Sequence, residues 1–319
     1  MRMSVKIVYV LVFEEEDCFY ETFLLSLHSL RYREPLREVE VVLDRESYGR
    51  ILGKKDPLLE NVKLIMVDIP PKFTGVERSR FLKTGLRDII EGDFLYIDSD
   101  TVICEPFDAV DTFEMDLAAV PNEHGTINKV VVSSYDDRVR RAGLGDRTKG
   151  PRFNGGVLFV KDSEVSRRFF RLWRELWLGS VANGVAFDQP ALFIANRETG
   201  FPIRELPGGW NCQICTELGP HFFNTAGIIH YYGSISHFAE DVIIPHVKST
   251  GGLDPYAGDI ARDPKKYGFG IYNPSHVPKL KAVFSDLMFS LKGCPPVYHL
   301  ISSSAGLLSR TISWLRSQG

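Results

Sequence analysis

The sequence predicts an α/β fold with a mostly parallel central sheet flanked by helices. Three observations lead there. Continuous apolar runs rich in β-branched residues recur through the first half of the chain, helical patterns alternate with them, and acidic clusters stand just beyond two of the runs. The run Lys6-Ile-Val-Tyr-Val-Leu-Val-Phe13 reads as a strand buried on both faces, because alternation is lost when both sides of a sheet are covered. Phe19, Phe23, Leu24, Leu27 and Leu30 then recur at helical spacing within Cys18 to Leu30, and Glu38 to Leu43 returns to a strand pattern. A third strand fits Val62 to Val67, a helix Arg78 to Ile90, and a fourth strand Asp93 to Ile97, which delivers Asp98 and Asp100. In open sheets of this kind ligands collect beyond the carboxyl ends of the strands, so Glu14 to Asp17 and Asp98 to Asp100 are expected to be neighbours.

The second half is less regular. Strands are expected at Leu117 to Val120, Gly156 to Val160 and Gly227 to Tyr232, with a helix from Ser163 to Leu178. The Gly-, Pro- and Asp-rich stretch Ser249 to Tyr272 reads as a long loop. The expected organisation is one catalytic unit over residues 1–248, followed by a C-terminal extension over 249–319.

At 319 residues, with 44% hydrophobic and 25% charged content, the chain has an ordinary globular composition. Its formal net charge of -3 offers no basic face for nucleic acid, so an anionic ligand must be held locally. Cys18, Cys104, Cys212, Cys215 and Cys294 are odd in number and scattered, which fits a reducing, cytoplasmic setting rather than a disulfide framework. Cys212 and Cys215 form a single CxxC without a second pair and are assigned no role.

The sharpest local feature is Phe94-Leu95-Tyr96-Ile97-Asp98-Ser99-Asp100, where an apolar strand ends in two carboxylates at i and i+2. Period-two geometry points them the same way, and two carboxylates facing one point repel unless a cation lies between them. A capping or solvated turn is the alternative reading of that pair. His230, at the end of Ile228-Ile229-His230, offers an imidazole, which beside two carboxylates suits Mn²⁺ better than Mg²⁺. Arg152-Phe153-Asn154-Gly155-Gly156 places an amide and two glycines before an apolar strand, where backbone can approach a ligand. Phe187-Asp188-Gln189-Pro190 opens a short helix, in which Asp188 would also serve as a plain N-cap. Arg78, Arg80 and Lys83 supply cations from one helix that either balance a diphosphate or form a solvated face.

In that order, the acidic pair, Phe153-Asn154-Gly155-Gly156, Asp188-Gln189, Trp210-Asn211 and His230-Tyr231-Tyr232-Gly233 resemble glycosyltransferase family 8, the retaining group that includes glycogenin and bacterial lipopolysaccharide galactosyl- and glucosyltransferases. The resemblance covers roughly residues 5–240. It implies a Rossmann-like nucleotide-diphospho-sugar transferase fold with Mn²⁺ (or Mg²⁺) on Asp98, Asp100 and His230. It further implies Arg80 on the donor, and the transferred sugar held by Asn154, Asp188 and Gln189. The nucleoside would sit against the turn formed by Val10, Leu11, Val12 and Phe13. Lys83, Ser99, Gly155, Gly156 and Gly233 complete the donor-facing set. The implied donor is UDP-glucose or UDP-galactose and the implied outcome is retention, through front-face transfer in which Gln189 stabilises the sugar and Asp188 is the placed carboxylate. The acceptor, a glycan, a lipid-linked glycan or a protein, is not specified by the resemblance. The chain departs from the family pattern at Glu14-Glu15-Glu16-Asp17, at Asn122, and at Ser236 and His237.

Two other readings compete. Asp98-Ser99-Asp100 together with Gly258-Asp259 and Asp263 mimics the acidic motifs of haloacid-dehalogenase-like phosphatases, although Asp259 follows Pro255-Tyr256-Ala257 rather than an apolar strand. A non-catalytic glycan- or nucleotide-sugar-binding module is the other, and it would have no need of the acid pair. From Val277 to Gly319 five basic residues stand against one acid among apolar clusters, a composition suited either to peripheral contact with an anionic membrane or to helices packed on the main unit.

Overall fold

The computed structural model describes residues 5–54, 56–125, 139–145, 150–216, 218–232 and 255–266. The chain begins with strand β1 (Lys6–Leu11), helix α1 (Phe19–Arg33), β2 (Val39–Asp44) and α2 (Arg45–Lys54). It continues through β3 (Val62–Val67), α3 (Gly75–Thr84), the short α4 (Leu86–Ile89), β4 (Phe94–Ile97) and β5 (Thr101–Ile103). The later elements are β6 (Leu117–Pro121), β7 (Phe153–Val160), α5 (Glu164–Ala182), α6 (Gln189–Glu198), β8 (Ile203–Glu205), β9 (Cys212–Gln213), β10 (Ile228–His230) and α7 (Pro255–Arg262).

Seven strands form the central sheet in the order β3-β2-β1-β4-β7-β6-β8. Pairings are parallel except where β7 runs against β4 and β6. The fold is therefore mixed α/β with a mostly parallel central sheet, as the sequence predicts. Because the chain moves outward from β1 to β3 and returns on the other side of β1 as β4, a topological switch point opens between the ends of β1 and β4.

Both faces of the sheet are covered, which explains the unbroken apolar runs. Ile7, Tyr9, Leu11, Leu95 and Ile97 enter one core with α1, while Val8, Val10, Phe94 and Tyr96 enter a second with α3, α5 and α6. Helix α5 carries Phe169, Phe170, Trp173 and Trp177 into the second core, and its start is fixed by a capping box between Ser163 and Ser166. A second sheet, β5-β10-β9, stands beside the carboxyl end of β4; β10 runs antiparallel to β5, with His230 opposite Thr101.

The structure differs from the sequence reading in several places. The helix expected over Arg78 to Ile90 starts earlier, at Gly75 behind a Thr74–Glu77 capping box, and breaks at Gly85 into α3 and α4. Gly85 lies close against Arg174, whose guanidinium occupies the space a Cβ would need. Helix α2 was not expected, because its sequence is polar and buries only Ser47 and Ile51. Part of the loop expected over Ser249 to Tyr272 is helix α7, which buries Ala257, Gly258, Ile260 and Ala261; it is only eight residues long and set in a Gly-, Pro- and Asp-rich stretch that reads as loop. That helix lies on α1, where Arg33 donates to the Arg262 carbonyl at 2.7 Å. Asp259 is on this helix, paired with Arg262 at 2.8 Å, and not at a strand end as the phosphatase pattern requires. No described helix is long and apolar enough to cross a membrane. Gly233, Ser236, His237 and the 277–319 tail lie outside the described residues, as does most of the 125–150 loop.

Candidate metal and donor site

β4 ends at Ile97, and Asp98 follows with its backbone N–H donating to the Gly156 carbonyl of β7 at 2.7 Å. The chain then turns through half-buried Ser99 into β5, whose Thr101 hydroxyl donates back to the Asp98 carbonyl at 2.9 Å and closes the turn. Pairing of β5 with β10 carries His230 to this turn, and the Tyr231 N–H donates to the Asp100 carbonyl at 3.1 Å. Two residues adjacent in the turn and a third far along the chain thus meet because the small sheet fixes their register.

The ligand-type atoms of Asp98, Asp100 and His230 lie within 4.8 Å of one another. His230 Nε2 is 3.2 Å from Asp100 Oδ1 and 4.0 Å from Asp98 Oδ2. Donors about 2.1 Å from one cation are about 3–4 Å apart, so the spacing fits shared coordination. His230 is buried, with 2% exposure, and its Nε2 has no hydrogen-bond partner although it faces two carboxylates. Such an arrangement is repulsive until a cation joins it, and oxygen plus imidazole donors suit a divalent ion such as Mn²⁺. Burial alone would raise the Asp100 carboxyl, but positive charge on the facing ring when it is protonated, hydrogen bonds and Lys83 outweigh it and hold the group below the usual carboxylate range.

Lys83 and Arg80 point from α3 into the same place. Lys83 Nζ is 3.2 Å from Asp98 Oδ1 and 3.7 Å from Asp188 Oδ2, and Arg80 Nε is 3.2 Å from Asp188 Oδ1. The Tyr96 hydroxyl also donates to Asp98 Oδ1, and burial together with the Asp98 charge pushes this phenol well above its ordinary value, so it remains a donor. Tyr96 holds Asp98 Oδ1 and Lys83 reaches both oxygens, at 3.2 and 3.4 Å, while Oδ2 is the one toward His230. Burial would lower the Arg80 guanidinium, but Asp188 and Asp98 reverse the direction and raise it. Arg78, the third cation of that helix, is committed elsewhere, to Glu14, Asp44 and Glu46. Through Arg78 and Lys83, α3 ties the acidic turn after β1 to the one after β4.

Asp188 occupies the N-cap position of α6 but makes no capping hydrogen bond; its carboxylate faces Arg80 and Lys83 instead. Asp188 Oδ2 and Arg80 Nε are buried atoms without hydrogen-bond partners. Gln189 locks α6 to the start of β7, its Oε1 accepting from the Gly155 N–H at 3.1 Å and its Nε2 donating to the Phe153 carbonyl at 2.9 Å. Asn154 is largely buried and hydrogen-bonded to Asn211 and Asn122. Gly156 passes so close to the site that a Cβ there would stand 2.2 Å from His230 Cε1 and 2.8 Å from Asp98 Oδ2. Val10, Leu11, Val12 and Phe13 are buried with their side chains divided between the two cores, and the Phe13 backbone is bonded to Ser47 and Arg50.

The sequence reading missed two contributors. Asn211 hydrogen-bonds His230 Nδ1 at 2.9 Å, and Tyr96 holds Asp98. Only the Trp210-Asn211 dipeptide pointed to the first, and it carries no chemistry by itself; the second follows from period two, which sets residues 96 and 98 on one side of the strand.

Lys83 is a like charge beside any metal ion and a counter-charge for phosphate. Lys83→Met is expected to tighten Mn²⁺ binding by the nucleotide-free protein about tenfold and to weaken nucleoside diphosphate binding in the presence of Mn²⁺ by a similar factor. Calorimetric titration of each ligand checks both directions.

No protein-family model and no curated protein sequence matches the chain. Solved structures similar to it include mouse xyloside xylosyltransferase 1 in its apo form, 15% identical over 72% of this chain and 97% of that one, with a TM-score of 0.47. They also include the glycosyltransferase GlyE of Streptococcus pneumoniae TIGR4, 18% identical over 72% of this chain, with a TM-score of 0.47, and 0.46 for its apo form. The match spans 55% of the GlyE chain. These likenesses are too distant to speak for activity.

Proposed function

We propose that the protein is a metal-dependent glycosyltransferase that moves a hexose from a nucleotide-diphosphate sugar, UDP-glucose or UDP-galactose, to a glycan, lipid-linked or protein acceptor, with retention. The observation that carries the proposal is the convergence of Asp98, Asp100 and the buried, unpartnered His230 Nε2 at the switch point of the sheet, with two cations and a further carboxylate alongside. The order of motifs resembling family 8 supports the same reading.

In this reading Asp98, Asp100 and His230 hold Mn²⁺ (or Mg²⁺), which supplies Lewis-acid stabilisation of the departing diphosphate. Lys83 and Arg80 add positive charge for the phosphates from within a largely buried setting, where charge is less screened than in water. Glycines 155 and 156 let the β7 backbone approach the donor, while Asn154, Asp188 and Gln189 border the place of the transferred sugar. Asp188 would face the reacting sugar carbon, while Gln189, its amide bonded to Gly155 and Phe153, would hold the β7 backbone in place beside it. With Asp188 already neutralised by Arg80 and Lys83, front-face attack by the acceptor suits the site better than a covalent intermediate on that carboxylate.

The test is release of nucleoside diphosphate from a panel of sugar nucleotides. Slow hydrolysis of UDP-glucose or UDP-galactose that requires Mn²⁺ and stops with a chelator is the expected result. Metal-dependent binding of these donors without turnover, with or without candidate acceptors, would assign the protein to the non-catalytic binding class instead. Absence of both binding and turnover would end the proposal.

A further inference from the structure

The geometry points to Asn211 as the positioning residue that fixes the His230 tautomer and so keeps Nε2 free for the metal; this rests on the metal reading given above. A directed chain of side-chain amides leads to the ring. The Gly156 N–H can only donate, and it does so to Asn154 Oδ1 at 2.8 Å, which settles which end of the Asn154 amide is oxygen. Asn211 Nδ2 donates to that same oxygen at 3.0 Å, and Asn154 Nδ2 passes the direction on to Asn122 Oδ1 at 3.3 Å. With its NH₂ so committed, Asn211 presents Oδ1 to His230 Nδ1 at 2.9 Å, and an oxygen there can only accept. The proton therefore sits on Nδ1, and in the neutral ring Nε2 is a lone pair.

This matters because a competing state is close at hand. His230 Nε2 is 3.2 Å from Asp100 Oδ1, so a ring protonated on Nε2 would donate to that carboxylate and remove both atoms from coordination. Asn211 opposes this state, since an Nδ1 lone pair would then face its Oδ1 across 2.9 Å in a fully buried position. Its own placement comes from the sheet: it immediately precedes β9, which pairs with β10 so that Cys212 lies beside Ile229 and Gln213 beside His230. Partners of this kind on a ligating imidazole typically change metal affinity about 10–100-fold when removed.

The experiment uses the full chain, metal-free, with ¹⁵N-labelled histidine. Long-range ¹H–¹⁵N correlation reports which ring nitrogen carries the proton, and the His230 signal is the one missing in His230→Gln. The expected result is protonation at Nδ1 in the wild-type protein. Asn211→Ala should lose that preference and bind Mn²⁺ about 10–100-fold more weakly. Asn211→Asp keeps the acceptor toward Nδ1 but loses the donor to Asn154 Oδ1, so it should retain the Nδ1 proton at the cost of a lowered Tm. Thermal melting separates these effects from misfolding, and should Asn211→Ala not fold, the wild-type tautomer and Asn211→Asp still decide. An Nε2 proton in the wild-type protein, or unchanged tautomer and Mn²⁺ affinity in a folded Asn211→Ala, overturns the assignment. Wild-type protein protonated at Nδ1 that takes up no Mn²⁺ would leave Asn211 in its role and refute the metal reading instead.

Discussion

Asp100→Ala is expected to lower turnover on the donor by on the order of 10³-fold or more, about 4 kcal/mol of transition-state stabilisation. Asp100 is the carboxylate nearest His230 Nε2, at 3.2 Å, and its replacement leaves one acid and one imidazole, too few to hold a divalent ion against water. Asp98→Ala should do the same for turnover but perturb the protein more widely, because the Tyr96 hydroxyl and Lys83 ammonium both rest on that carboxylate. Steady-state release of nucleoside diphosphate, with Mn²⁺ titrated over a wide range, checks the pair. Full activity of either variant without metal would remove the central role given to the cluster.

The second large effect belongs to a residue with no side chain. Gly156→Ala would place a methyl group 2.2 Å from the His230 ring and 2.8 Å from Asp98 Oδ2, distances no real carbon tolerates. The ring cannot easily retreat, since Asn211 holds its Nδ1, and Asp98 cannot either, since its N–H is bonded to the Gly156 carbonyl itself. Crowding of this sort costs about 1–3 kcal/mol of stability, while displacement of a ligand by about 1 Å costs turnover roughly 10²-fold. The expected variant is folded, with a modestly lowered Tm, weakened Mn²⁺ binding and turnover reduced about 10²-fold. Calorimetry alongside the donor assay distinguishes this from plain unfolding, and wild-type Mn²⁺ affinity would show that the ring has room.

How much of this was legible in the sequence differs from element to element. β1 and β4 could be read because both faces of the sheet are covered there, leaving apolar runs, and β2 and the edge strand β3 because Val, Leu and Ile dominate them despite Glu40 and Lys63. α2 and α7 could not: α2 buries only Ser47 and Ile51, and the eight residues of α7 are too few to stand out from the Gly, Pro and Asp around them. Asp98, Asp100 and His230 were nominated from strand ends and family resemblance, and the structure brings them together. Nothing local to Asn211 announced its contact with His230, since that contact depends on the register of β9 against β10, strands of two and three residues. Likewise, one helix offered three cations, and only packing shows that Arg78 is spent on Glu14, Asp44 and Glu46 while Arg80 and Lys83 face the site.

The pairing of β5 with β10 joins positions about 130 residues apart in sequence. During synthesis, therefore, no cation can be captured until the chain has emerged past Tyr231, and a product truncated before that point would carry both aspartates yet be inert. A bound ion would in turn act as a clasp across this long span, so heat resistance should keep climbing with the logarithm of free metal concentration once that exceeds the Kd.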